Sequence, residues 1–150
     1  MIITTARKPS SRIRIFCKHL SRFTGCEYVA RGKTGLSEFA DKPLLVVGEH
    51  RGNPGNFGFF LNGNPVLSIY ASVSLDKEIA PGEEPVIEGD SSLAHALNRI
   101  TGFRMDGSSE RIIRINDKIE LMEKGVPFIV LKLQGIRRRG NCLTFSGKKR

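Results

Sequence analysis

The sequence predicts an α/β domain, a mixed sheet with helices packed on it. Three observations carry this. Leu44–Val47 is an unbroken apolar run, LLVV, as found in strands covered on both faces. Apolar residues fall at 13, 16, 17, 20 and 23, spacings of three and four that mark one face of a helix. Strand-like and helix-like segments alternate over the first fifty residues.

The elements follow in order. MIITT (Met1–Thr5) is β-branched and reads as a strand. Pro9 and two serines open a helix that ends at Thr24-Gly25, where glycine can take the left-handed cap. EYVA (27–30) is a short strand and GLSEFAD (35–41) a short helix with Leu36 and Phe39 inward. PLLVVGEH is a central strand, RGNPG a turn, NFGFFL a strand and NGNP a turn. VLSIYASVSL follows, with Val66, Ser68, Tyr70, Ser72 and Ser74 expected on one face. The short links predict antiparallel pairing of these three strands.

DKEIAPGEEPVIEGD (76–90) is acidic, carries Pro and Gly, and reads as a loop. Asp90 or Ser91 caps a second helix with Leu93, Leu97 and Ile100 on its core face and Gly102 at its end. ERIIRIND and PFIVLKLQGI are late strands. IRRRGNCLTFSGKKR closes the chain, its last residues expected to be loose.

The 150 residues suffice for one domain with a core of its own. No apolar run approaches the about 20 residues of a membrane span. The opening MIITTARKPSSR lacks the apolar stretch and cleavage site of a secretion signal, so a cytoplasmic location is expected. Cys17, Cys26 and Cys142 make no disulfide framework. Cys17 and His19 lie two apart and point to different faces of a helix. No metal site and no cofactor is expected.

Charge is the strongest signal. The net charge is +9, and it is segregated. Residues 1–35 carry eight basic and one acidic residue, residues 132–150 seven basic and none, and the middle nine basic and fourteen acidic. Two cationic ends around an acidic middle point to a polyanion, nucleic acid before membrane. They are expected to meet on one side of the folded domain.

Catalytic motifs fail on spacing. ARGKTG (30–35) has the GKT of a phosphate-binding loop, but the loop needs a glycine where Glu27 stands. There is no G-x-S-x-G. Glu49 and His50 could serve an acid–base set, yet no nucleophile is placed beside them. Arg14, Lys18 and Arg22, by contrast, recur at i, i+4 and i+8, one cationic stripe opposite the apolar face. Arg12 sits in the first turn, where the helix dipole disfavours cations. Such placements cost local stability and gain a rationale if phosphates supply the counter-charge. Arg137–Arg139 follow a strand and are anchored, whereas Lys148–Arg150 end the chain. There is no Trp, and Phe57, Phe59, Phe60 and Tyr70 sit in strand-like runs where core packing is expected. That favours recognition of backbone and shape.

VARGKTGLSEF, LLVVGEHRGNPGNFGFFLNGNPVLSIYASVSL and IELMEKGVPFIVLKLQGIRRRG resemble the Brix-domain family of ribosome-biogenesis factors, in its minimal archaeal form. The residues that carry the likeness are Arg31-Gly32-Lys33, Glu49-His50-Arg51-Gly52-Asn53-Pro54 and Leu131-Lys132-Leu133. The resemblance implies an α/β fold of two similar halves, each like the anticodon-binding domain of class II aminoacyl-tRNA synthetases. It implies one domain over 1–150, with halves of roughly 1–64 and 65–140 and a basic tail at 141–150. It also implies rRNA or pre-rRNA binding during subunit assembly, ribosomal or assembly proteins as further partners, and no catalysis.

The expected RNA contacts are Arg7, Lys8, Arg12, Arg14, Lys18, Arg22, Arg31, Lys33, Arg51, Arg137, Arg138 and Arg139. A monomer is expected. Glu49 either orients Arg51 or caps the turn, or it pairs with Arg51 to hold the two halves together; the sequence leaves these open. The rival readings are an RNA-processing nuclease using Glu49 and His50, and a protein-interaction module of a preribosomal complex.

Overall fold

A computed structural model describes residues 1–138. Within these residues nine strands form one mixed sheet. They are β1 (Ile2–Thr5), β2 (Glu27–Tyr28), β3 (Leu44–His50), β4 (Asn53–Leu61), β5 (Asn64–Leu75), β6 (Val86–Glu88), β7 (Arg111–Ile115), β8 (Lys118–Glu123) and β9 (Val126–Arg138). Their order is β2-β1-β3-β4-β5-β9-β8-β7-β6. The helices are α1 (Ser11–Thr24) and α2 (Ser92–Thr101), with a short 3₁₀ turn at Leu36–Phe39.

The pairing pattern repeats. β1 pairs parallel with β3, and β3, β4 and β5 follow antiparallel. β6 pairs parallel with β7, and β7, β8 and β9 follow antiparallel. β5 and β9 then join the two series antiparallel at the centre.

The helix ends repeat the same chemistry atom for atom. Ser10 Oγ accepts the Ile13 amide at the start of α1, and Ser91 Oγ accepts the Ala94 amide at the start of α2. Gly25 and Gly102 both take left-handed φ of 78° and bond back to Ser21 and Asn98. Thr24 Oγ1 donates to Leu20 O at 2.8 Å and accepts the Cys26 amide; Thr101 Oγ1 donates to Leu97 O at 2.7 Å and accepts the Phe103 amide. Each serine cap is worth about 1 kcal/mol.

Both helices pack on one face of the sheet in one apolar cluster. Ile13, Phe16, Leu20 and Phe23 of α1 and Leu93, Leu97 and Ile100 of α2 meet Leu45, Phe57, Ile69, Ile87, Ile113 and Leu131. On the opposite face the 3₁₀ turn covers only the β1–β3 side, where Phe39 packs with Ile2 and Leu44.

The expected helices, the central strand and the antiparallel strands are present. Five details differ. Pro54 lies inside β4, because the turn is only Arg51-Gly52. Val66 faces the helices, not the side of Ser68, because a register shift between Phe59 and Phe60 interrupts the alternation. The loop 76–90 contains β6, and Lys118–Glu123 forms a strand that the sequence reading did not assign. β9 runs on through Arg138, so Arg137 and Arg138 are strand residues.

Candidate nucleic-acid interface

The polar end of β3 is explained by the start of α1. A helix opened by serine wants a carboxylate three residues on to bond back to the cap amide. Ile13 holds that position here and is fully buried in the core. Glu49 supplies the carboxylate from β3: its Oε2 accepts the Ser10 amide at 2.8 Å. The hydroxyl and backbone amide of Ser10 hold the Glu49 carboxyl below the usual glutamate range. Glu49 therefore caps the helix, where the sequence suggested the turn, and it is not among the ion pairs of the described residues.

Arg51 sits at the tip of the β3–β4 hairpin. It takes φ of +56° and Gly52 takes +83°, the backbone of a primed two-residue turn. Such a turn prefers Asn, Asp or Gly at its first position; an arginine there costs about 1 kcal/mol. Beside the tip, Arg12 Nη1 donates to Asn53 Oδ1 at 2.7 Å, tying the hairpin to the first turn of α1. Gly55 makes room for the hairpin, since a Cβ there would lie 2.6 Å from the Cβ of His50.

Arg7, Lys8, Arg12, Arg14, Lys18, Arg22, Lys33, Arg51, Arg137 and Arg138 are exposed. Arg14 Nη1 donates to the Pro9 carbonyl at 2.8 Å and leaves its remaining donors outward. Among the described residues, the ion pairs Arg111–Glu123, Arg114–Glu88 and Lys118–Glu120 lie in the second half of the sheet, and no cation of α1 or of the β3–β4 tip joins one. Arg14, Lys18 and Arg22 thus stand on one helix with no carboxylate in reach.

Arg31 is placed differently. It is buried at 8% exposure, its Nε donates to Thr34 O at 2.6 Å and its Nη1 to Thr5 O at 3.0 Å. Burial, with Arg7 nearby, lowers its pKa. Its guanidinium ties the loop after β2 to the end of β1 through these two carbonyls, so it is not an open surface cation like the others. Arg137 and Arg138 diverge as neighbours in a strand must. Arg137 pairs with Ser68 and Arg138 with Leu67, which is buried on the helix side. Arg137 therefore lies across the sheet from α1, and the described cations occupy both faces rather than one. Arg139 and the tail 141–150 lie outside the described residues.

One arginine escaped the sequence reading. Arg111, in β7, is 2% exposed. Its Nη1 donates to the carbonyls of Arg22 and Phe23 at the end of α1, its Nη2 to the carbonyl of Ala80, and its Nε to Glu123 Oε1 at 3.2 Å. One guanidinium thus closes the C-terminus of α1 from the other half of the chain. A cue was present in the spacing: in ERIIRIND, Arg111 shares its two-residue phase with Ile113 and Ile115, the buried face of β7, whereas Arg114 falls on the other face.

Among the described residues the chain is a mixed sheet with two helices on one face and a row of exposed cations on the first helix. Comparisons with known proteins narrow that build to a family. No protein-family model matches the chain. A protein of Methanosarcina mazei described as "Probable Brix domain-containing ribosomal biogenesis protein" is 34% identical over 92% of this chain and 99% of its own length. One of the same description from Methanothermobacter thermautotrophicus is 32% identical over 85% of this chain and 91% of its own. The chain belongs to the Brix-domain family of ribosomal biogenesis proteins. Among solved structures it is similar to Mil, an archaeal Imp4-like protein, with a TM-score of 0.77 at 30% identity over 93% of this chain and 99% of that one. A protein of Aeropyrum pernix K1 described as "probable ribosomal biogenesis protein" gives a TM-score of 0.71 at 26% identity over 88% of this chain and 93% of that one. Among the described residues no helix is long and apolar enough to cross a membrane.

Proposed function

We propose that this protein is a non-catalytic, cytoplasmic assembly factor that binds rRNA or pre-rRNA as a monomer, with ribosomal or assembly proteins as further partners. The observation that carries this reading is the stripe of Arg14, Lys18 and Arg22, which has no carboxylate partner among the described residues, continued by Arg12 and Arg51 at the helix start. Phosphates are the counter-charge that offsets its like-charge repulsion. Arg7, Lys8 and Lys33 extend this contact set. Arg137, Arg138 and Arg139 are proposed to reach RNA from the far end of β9. Arg31 we assign to the fold. The non-catalytic reading is supported by Glu49, whose carboxylate is occupied by the Ser10 amide. The single domain over 1–150 and the likeness of its halves to anticodon-binding domains belong to the same proposal.

Crosslinking in cells tests it. Adducts to rRNA or its precursor are the expected result; adducts to protein alone would favour the interaction-module reading. Incubating the purified protein with RNA and Mg²⁺ or Mn²⁺ tests the nuclease. Cleavage abolished by Glu49→Gln would overturn the non-catalytic reading.

A further inference from the structure

Tyr70 stands apart from the other described aromatic residues. Every described phenylalanine, and Tyr28, belongs to or packs against one of the two apolar clusters. Tyr70, half-buried on β5, belongs to neither, although a strand tyrosine in VLSIYASVSL reads as core.

Its surroundings are small or polar. Tyr70 lies opposite Asn56 of β4 and Gly135 of β9. A Cβ at Gly135 would come 3.6 Å from Tyr70 Cδ2, so the ring leans across a residue with no side chain. Two residues along β5 in one direction, Ser68 lies opposite Gly58 and Arg137. Two residues in the other, Ser72 lies opposite Lys132, which lies opposite Lys118. These positions share the sheet face away from the helices, because the intervening Leu67, Ile69 and Ala71 belong to the helix-side core.

The face is built at a cost. Lys118 and Lys132 stand directly opposite each other, an arrangement that destabilises a sheet. Among the described residues, Lys118 has Glu120 at 3.8 Å as relief. Rows two residues apart lie about 7 Å apart, so cations flank the tyrosine ring on both sides within reach of one bound strand. A protein partner would ask for an apolar cluster free of charge at the contact centre. Here one aromatic ring that joins neither apolar cluster lies between cations, which suits a base with phosphates on either side.

We propose that this open sheet face is a second RNA-contact surface, on which Tyr70 stacks a single-stranded base while Arg137 and the Lys118/Lys132 pair hold the flanking phosphates. The inference rests on the RNA-binding reading above and adds to it the nucleic-acid form, an unpaired segment. The stripe of α1, on the other face, is left to backbone contact.

The test uses the full chain, an unstructured RNA oligonucleotide and an RNA duplex. The protein has no Trp and two Tyr, so Tyr28→Phe leaves Tyr70 as the sole tyrosine emitter. The oligonucleotide should quench that emission and the duplex should not. Tyr70→Ala should weaken oligonucleotide binding about 5- to 150-fold, with melting and salt slope unchanged, and Tyr70→Phe should bind normally. In the triple Arg14→Ala, Lys18→Ala, Arg22→Ala variant the salt slope should fall while quenching persists.

Absent quenching, or a Tyr70→Ala chain that binds as the parent does while the triple variant binds weakly, overturns the stacking proposal and leaves the RNA-binding reading standing. Loss in both Tyr70→Ala and Tyr70→Phe accompanied by lower melting points to a structural ring and overturns it too. A parent protein that binds neither RNA overturns both.

Discussion

Arg111 Nη1 donates to the carbonyl of Phe23 at 3.0 Å while the same guanidinium lies 5.1 Å from the centre of the Phe23 ring. One residue of β7 thus satisfies a helix end and covers its last aromatic. The C-terminal carbonyls of α1 would otherwise be buried without donors, which a helix end cannot tolerate cheaply.

Removing Arg111 strands Glu123 and the carbonyls of Arg22, Phe23 and Ala80 together. Arg111→Met should destabilise by about 3–5 kcal/mol in urea unfolding. Arg111→Lys should recover little, because an ammonium cannot fork to several acceptors at once. A loss below about 1 kcal/mol would show that the contacts are not energetically coupled.

Glu49 predicts an acid-dependent stability. Its folded pKa is depressed by the hydroxyl and amide of Ser10. The contribution is therefore complete above the unfolded carboxylate value, roughly pH 4, and is lost as pH falls through the lower folded value. Melting temperature followed down the acid limb should fall less steeply in Glu49→Gln than in the parent. Some slope should remain, since Glu83 is held low in the same way by the Glu110 amide and the Ser109 hydroxyl. Identical acid limbs would mean that the Ser10 contact does not persist in solution.

Arg51 sets stability against binding. Asn suits a left-handed turn position better than Arg. Arg51→Asn should raise stability by up to about 1 kcal/mol and reduce the salt slope of RNA binding by about one phosphate contact. A variant that is more stable and binds equally well would leave the arginine's strained placement unexplained.

Gly55 carries a steric prediction. A methyl group there would sit 2.6 Å from the His50 Cβ, a backbone-anchored atom that cannot swing away. Gly55→Ala should destabilise by about 1–3 kcal/mol and misplace the Arg51 tip, so RNA affinity should fall with it. Unchanged melting would show that the hairpin yields freely.

The helices were legible because their signals are local. Ser10 and Ser91 are cap residues before an apolar face, and Gly25 and Gly102 are glycines just after one. β8 was hidden because a register shift between Leu121 and Met122 breaks the two-residue period of KIELME. β6 was hidden because it is three residues long within an acidic, proline-bearing stretch. At the site, the α1 stripe was legible because helical spacing fixes which residues share a face. Arg31 and Arg111 were not, because composition cannot separate an arginine that bonds buried carbonyls from one that faces water. The divergence of Arg137 and Arg138 was missed for a related reason: reading IRRRG as a run after the strand concealed the alternation that splits it.

The most direct test of the central claim, that unpaired cations of α1 and the β3–β4 tip grip a phosphate backbone, is the salt dependence of rRNA binding by the parent protein and by the triple Arg14→Ala, Lys18→Ala, Arg22→Ala variant. With about six phosphates engaged, log K should fall with log salt at a slope of roughly −4 to −5. The variant should lose about 2 from that slope at nearly unchanged melting temperature. A flat salt response in the parent, or a variant whose slope is unaltered, would contradict the account.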